Sequence, residues 1–474
     1  MKTFSKIIAA AAVMAFTMPQ MASAQYLKVS PDKYAVKFTD KNNNGYSLDR
    51  PEEFLTQKAL DRRAKFKIGL DDYDLPINMA YVDSLKSLGF KIQGSSKWLN
   101  CAVIQTEDST ALAKLDSLDF VVHDYKWLEV KEEPKASLPA VVRPKLKDKK
   151  KPAASVKRAY DYGEGLNQAE MLGIDKLHVL GFCGQGMTIA VFDAGFYKAN
   201  QLNCFTKMFT EGRVLGVRDF ADNDTTVYDA DNHGMNVLSC IAGNWSGQLV
   251  GTAPEASAYL FRTEISSSEN IVEEFLWAFA AEVADSLGVD MIHSSLGYQK
   301  FDDKSISYTR EQGDGNTTIA DIAADRAASK GIVVTVSGGN GGDEPEYPWV
   351  TSPADADSVL AVGAVDKRRK IAYFSSIGNT VDGRVKPDVC AMGFMAAVQG
   401  PSNRITHSNG TSFSGPILAG CVLCLMQAHP KAPVMEILQA VRAAGDRFDH
   451  PDVQYGYGIP DFEIAHKILT KRGF

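Results

Sequence analysis

The chain is short of the features that mark nucleic-acid, membrane and metal-dependent proteins. Lys and Arg number 51 against 58 Asp and Glu, a net charge of −7 over 474 residues, so the basic footprint that phosphate binding requires is missing. Beyond the first residues no segment stands out as long and apolar enough to cross a bilayer core of about 30 Å. No H-E-x-x-H occurs, which removes that zinc-hydrolase pattern. Among seven cysteines (101, 183, 204, 240, 390, 421 and 424), only Cys421 and Cys424 have C-x-x-C spacing, without a second pair or nearby histidines. They do not read as a zinc site. Core thiols are the expectation; in an oxidising compartment some could pair, and the odd number leaves at least one over. No loop has EF-hand spacing. "GFCGQG" precedes the strand-like "TIAVF" instead of following a strand, so dinucleotide binding fails as well.

What is present is an ordinary globular composition, 45% hydrophobic and 23% charged, with length for two or three domains. Residues 1–24 have a basic start, an apolar run from Ile7 to Phe16 and the small-residue pattern Ala22-Ser23-Ala24. They read as a signal peptide, so the mature protein is expected to be exported, to a periplasm or beyond the cell, with no membrane attachment after cleavage. Residues 131–158 hold ten Lys or Arg, three acids, four prolines and no aromatic residue; this is an exposed linker. Between them, residues 25–130 alternate strand-like "YAVKF" and "LNCAVIQT" with helix-like "RPEEFLTQKALDRR", "YVDSLKSLG" and "STALAKLDSL", then strand-like "FVVHDY". That is a small α+β domain.

Residues 159–474 alternate more regularly. The short apolar runs "TIAVFD", "MIHSSLG", "GIVVTVSGGN" and "SVLAVGAVD" are separated by helical stretches, the signature of a doubly wound α/β fold with a mostly parallel sheet covered on both faces. Ligands bind beyond the carboxyl ends of such strands. Asp193 ends the first strand, His233 opens an apolar helix, and Ser412 lies in "GTSFSGP" at a helix start. Singly they are a turn residue, a structural histidine and an N-cap. Together, in the order Asp, His, Ser, they compose a nucleophilic triad. A serine hydroxyl needs an imidazole to take its proton, and the imidazole needs a carboxylate to fix its tautomer and stabilise its cation. Asn340, after "IVVTVSGG", offers a side-chain donor for an oxyanion, and the backbone N–H of Ser412 a second. Ser408 reads as a loop hydroxyl and Ser414 as facing away from the imidazole.

These residues resemble the subtilisin-like serine proteases, or subtilases. "VFDAGF", "NHGMNVLSCIAG" and "NGTSFSGPILAG" are similar to the family's aspartate, histidine and serine motifs, and "GTAPEASAYLFRTE", "VVTVSGGNGG" and "FSSIGNTVDGRVKPDVCAMG" follow its usual succession. Ala194, Met235 and Phe413-Ser414 depart from the residues common beside the triad. The resemblance implies an exported serine endopeptidase acting through an acyl-enzyme on protein or peptide substrates. It implies that Ser295, Leu296 and Gly297 pair with an extended substrate, and that Ser337, Gly338 and Gly339 line the primary specificity pocket. Asp343, Glu344 and Glu346 are a solvated loop or, on a sharper reading, a preference for basic substrates. No cofactor is implied for the chemistry; structural calcium is implied as an option and cannot be assigned to particular carboxylates. The first block is similar in position, size and element order to propeptides, an inhibitory partner of its own protease, with Lys151 and Arg158 as cut points. The alternatives are a non-catalytic peptide-binding protein on this fold and an α/β-hydrolase esterase, against which the chain order and "GTSFSG" both speak.

Overall fold

A computed structural model describes residues 26–130, 143 and 158–474. The signal-like segment, Lys151 and most of the basic linker lie outside the described residues.

The first block is built on a four-stranded antiparallel sheet in the order Leu27–Ser30, Lys33–Lys37, Cys101–Gln105, Lys91–Ser96. Two helices accompany it. Gln57–Phe66 starts on Thr56, whose side chain accepts from Ala59 N, and Met79–Ser87 starts on Asn78, which accepts from Ala80 N, each supplying a bond the first turn lacks. The expected helix from 50 therefore begins later, after a 3-10 turn at Pro51–Glu53. "STALAKLDSL" is a 3-10 segment, Ser109–Ser117, and "FVVHDY" contributes only one bridge, Val121 to Phe38. Side chains alternate across a strand, and both faces of this sheet are apolar. Ala102 and Ile104 join Tyr34, Val36 and Leu85 in the block's own core. Cys101, Val103 and Ala35 face the other way, into a core shared with Phe275 and Phe279 of the larger block.

The larger block carries a seven-stranded parallel sheet in the order Val389–Met392, Val359–Val365, Val333–Ser337, Met291–Ser294, Thr188–Asp193, Ser257–Arg262, Val214–Asp219. Every residue of Thr188–Asp193 is buried, as expected of a strand covered on both faces. Ile189 and Val191 face a core with helices His233–Ala242 and Thr411–Ala428, whereas Ala190 and Phe192 face helices Val272–Leu287 and Ile319–Ser329. After Thr188–Asp193 the next two strands lie to one side and the remaining four to the other. The order thus reverses between Thr188–Asp193 and Met291–Ser294, the place where such sheets open a crevice.

Thr411–Ala428 corrects one expectation, because it is long and apolar enough to cross a membrane by composition. It is 83% buried in the fold, so its apolarity serves the core. All seven cysteines are free and buried.

Candidate active site

The reversal point gathers the predicted residues. Asp193, with no exposed surface, ends its strand, and its Oδ1 lies 2.7 Å from His233 Nδ1 while accepting from Ala194 N at 2.8 Å. His233 is the first residue of its helix, and its own N–H donates to Asp231 Oδ1 at 2.8 Å. A donor assignment at Nδ1, inferred from this partner, leaves Nε2 free to accept a proton. Burial alone would depress the His233 pKa. The charge of Asp193 and its hydrogen bond, with Asp231 adding to them, outweigh burial and raise it above the usual histidine range.

Ser412 is the second residue of Thr411–Ala428, entered through Gly410 at φ 150°. Its hydroxyl makes one long contact, 3.4 Å to Ser295 O, and no hydrogen bond to the His233 ring. The two are nonetheless neighbours, since the Phe413 ring lies 6.0 Å from the imidazole, centroid to centroid. Nucleophile–base bonds are often long until substrate binds. Ser408 ends the strand Ile405–Ser408, and the buried Ser414 bonds back to Thr411 O.

Asn340 is held by one side. Its Oδ1 accepts from Thr411 N at 2.8 Å and from Thr411 Oγ1 at 3.0 Å. The amide orientation this fixes leaves Nδ2 without a partner among the described residues, in keeping with a donor awaiting an anion.

The two expected substrate segments bracket this group. Ser295, Leu296 and Gly297 lie just past Met291–Ser294, where no other strand among the described residues pairs with them, so the expected strand stops short of them. Ser337 closes its strand and donates to Thr411 O at 2.8 Å, and Gly339 N donates to Thr411 Oγ1 at 3.1 Å. Asp343, Glu344 and Glu346 are exposed, and Glu344 pairs with Lys300.

One residue escaped sequence reasoning. His293 is fully buried, with Nδ1 2.9 Å from Thr335 Oγ1 and Nε2 2.9 Å from Ser295 Oγ, which in turn donates to Ser412 O at 3.0 Å. Burial pushes its pKa down to about 3, and His233 nearby adds to this, so it stays neutral as a structural prop beneath the nucleophile. The signal was available: a histidine in an apolar strand two residues before Ser295 shares its face.

Carboxylate oxygens of Glu264, Glu269 and Glu273 lie within 4.8 Å of one another, hard donors of the kind calcium takes. Part of that capacity is committed: Glu264 accepts from Tyr298 Oη at 2.5 Å, and Glu273 from Ile265 N and Asn270 N, both at 2.8 Å.

Comparison with known proteins identifies the family. Residues 184–458 match the model of the subtilase family, and residues 33–140 that of the peptidase S8 propeptide domain of Bacteroidota. Subtilisin DY of Bacillus licheniformis is 28% identical over 301 residues, 62% of this chain and 96% of that protein. Serine protease AprX of Bacillus subtilis is 29% identical over 59% of this chain and 66% of its own length. Subtilisin NAT of Bacillus subtilis subsp. natto is 30% identical over 61% and 68% respectively.

Proposed function

The chain belongs to the subtilase family and is a serine endopeptidase, and from that premise we propose that it cleaves peptide bonds through an acyl-enzyme on Ser412. The observation that carries this is the 2.7 Å contact of Asp193 with His233 at the sheet's reversal point, beside the Ser412 helix. As Ser412 Oγ attacks the substrate carbonyl carbon, His233 Nε2 takes its proton and Asp193 stabilises the imidazolium. Negative charge on the carbonyl oxygen is met by Asn340 Nδ2 and the Ser412 N–H. His233 then gives the proton to the leaving amine, and water releases the acyl group by the reverse exchange. Residues 295–297 and 337–339 hold the extended substrate between them, as a strand added to open backbone. Subtilases use no cofactor for this step. A structural calcium remains an option, with the Glu264, Glu269 and Glu273 cluster as its hard-oxygen donors; chelator sensitivity of thermal stability tests it.

The protein is made as a zymogen with an N-terminal propeptide domain. In our reading residues 1–24 direct export, residues 25–130 fold with the protease and cover it, and cutting within residues 131–158, at Lys151 or Arg158, frees the peptidase of residues 159–474. A fluorophosphonate should label the mature protein at Ser412 and leave Ser412→Ala unlabelled. Sequencing the active protein should find an N-terminus beyond the linker; an active form still beginning near Gln25 would reject the zymogen boundaries.

A further inference from the structure

The helix that carries Ser412 has a proline inside it, Pro416 within Thr411–Ala428. A helical residue i donates its N–H to the carbonyl of residue i−4. Pro416 has no N–H to give, so the carbonyl left without its helix partner is that of Ser412, and the proline ring crowds the same oxygen outward. The oxygen is met from outside the helix: Ser295 Oγ donates to it at 3.0 Å. The contact is reciprocal, because the Ser412 hydroxyl rests 3.4 Å from Ser295 O.

His293 stands behind that bond. A serine hydroxyl has a single proton, and Ser295 commits its own to Ser412 O, so the 2.9 Å contact between His293 Nε2 and Ser295 Oγ runs from the ring to the hydroxyl. Nε2 therefore carries the hydrogen, and at Nδ1 the ring accepts from Thr335 Oγ1 at 2.9 Å, a tautomer assigned from these partners. The donors point one way, from Thr335 through His293 and Ser295 to the carbonyl of Ser412. Burial holds the ring neutral, the state in which one nitrogen donates and the other accepts. The nearest other hydroxyl is engaged elsewhere, Ser337 Oγ donating to Thr411 O at 2.8 Å. The ring also meets the helix directly: a Cβ placed on Gly415 would lie 2.9 Å from His293 Cε1, so the first turns of the serine helix sit on the imidazole.

We infer that His293 is a positioning residue for the reaction: through Ser295 Oγ it holds the Ser412 carbonyl that Pro416 leaves without a helix partner, and so sets where the Ser412 hydroxyl and N–H stand. This rests on the reading of Ser412 as the nucleophile. The attacking oxygen and one oxyanion donor belong to the same residue, so a tilt of its backbone misplaces both together. A displacement of about 1 Å can cost about 10² in rate. The loss falls on kcat, since the ring lies beneath the nucleophile and touches no substrate.

The test uses mature enzyme obtained from the full chain, titrated with a fluorophosphonate so that rates refer to active sites. The substrate is succinyl-Ala-Ala-Pro-Xaa p-nitroanilide, with Xaa whichever of Ala and Phe wild type cleaves faster. Ser295→Ala, which removes the bond to the carbonyl, should lower kcat by about 10²-fold. His293→Leu, which leaves that hydroxyl unsupported, should lower it about tenfold or more with KM little changed. His293→Gln sets an amide N–H as many bonds from the backbone as Nε2 and should restore most of that loss. The deciding measurement is the cycle: in the Ser295→Ala background, His293→Leu should lower kcat no further than about twofold. Thr335→Val keeps the branched shape, should cost about fivefold alone and nothing further with Ser295→Ala, and carries the cycle if His293→Leu does not mature. A His293 or Thr335 loss that persists in full on top of Ser295→Ala overturns the assignment. So does a loss in KM alone, or a lowered Tm with kcat per active site unchanged, the mark of a packing role. Absence of label at wild-type Ser412 overturns the catalytic reading itself, a failure distinct from labelled enzyme whose kcat ignores His293.

Discussion

Asp193 and Asp285 are equally buried, with no exposed surface on either, but they are partnered in opposite ways. Asp285, on the helix that receives the first block, is met by Arg62, by Arg63 at 2.8 Å and by Lys97 at 3.8 Å. Arg63 also bonds Asp74 at 2.6 Å, and Lys330 bonds Asp74 at 3.0 Å. Among the described residues Asp193 has one imidazole and one backbone N–H, and its Oδ2 has no partner. A guanidinium keeps its proton at any working pH, whereas an imidazole exchanges one near neutrality. The saturated carboxylate clamps one block to the other. The sparsely partnered one is left to govern a proton.

The largest effect should come from breaking the pair at Asp193. Asp193→Asn keeps the shape and removes the charge, so turnover should fall roughly 10⁴-fold, the order seen when serine proteases lose this carboxylate. Intact thermal unfolding would show that the loss is chemical. The corresponding change at the clamp, Asp285→Ala, takes from Arg62 its carboxylate and leaves Arg63 with Asp74 alone, and should cost about 3 kcal/mol or more, read by denaturant unfolding of the full chain carrying Ser412→Ala. If Asp285→Ala were neutral there, the distinction between the two carboxylates would lose its structural half. Asn340→Ala should lower kcat by about 10² to 10³, the size seen when a subtilisin loses such a donor, with KM little changed.

The raised pKa of His233 gives a prediction with two opposite signs. Activity needs neutral imidazole, so kcat/KM should drop about tenfold per pH unit on the acid side, with that limb above the ordinary histidine value of about 6.5. Stability should run the other way: protonation is favoured in the folded state, so the contribution is full below about 6.5 and is lost as pH rises through the folded pKa. Removing the charge in Asp193→Asn should move the acid limb down, because burial then acts on the imidazole with less opposition.

The same contrast explains what could be read from sequence. Asp193, His233, Ser412 and Asn340 lie in short local motifs at ends of apolar strands or starts of helices, where periodicity and turn residues announce them. The three strands ending at or beside site residues, Thr188–Asp193, Met291–Ser294 and Val333–Ser337, were legible for that reason; Val214–Asp219, in part exposed at the sheet edge, and Lys91–Ser96, polar along most of its length, carried no such pattern. The Arg62, Arg63 and Asp285 clamp joins residues more than two hundred positions apart, and nothing local to "ALDRR" indicates that two of its charges are buried.

The smallest effect concerns the unpartnered oxygen. The resemblance would place Thr or Ser after the aspartate where this chain has Ala194, and Ala194→Ser would offer Asp193 Oδ2 the donor it lacks. A hydrogen bond to a charged acceptor is worth about 1.5–3 kcal/mol at best, and a newly introduced hydroxyl should realise about 1 kcal/mol, visible as a rise of about 2 °C in Tm for a chain of this size. The gain should carry a counter-effect: a carboxylate stabilised by a second donor attracts the imidazolium less, so the acid limb of kcat/KM should shift slightly downward as Tm rises. If both move in these directions, the sparse partnering of Asp193 sets the basicity of His233. A higher Tm with an unmoved limb would show that Oδ2 is a matter of packing alone.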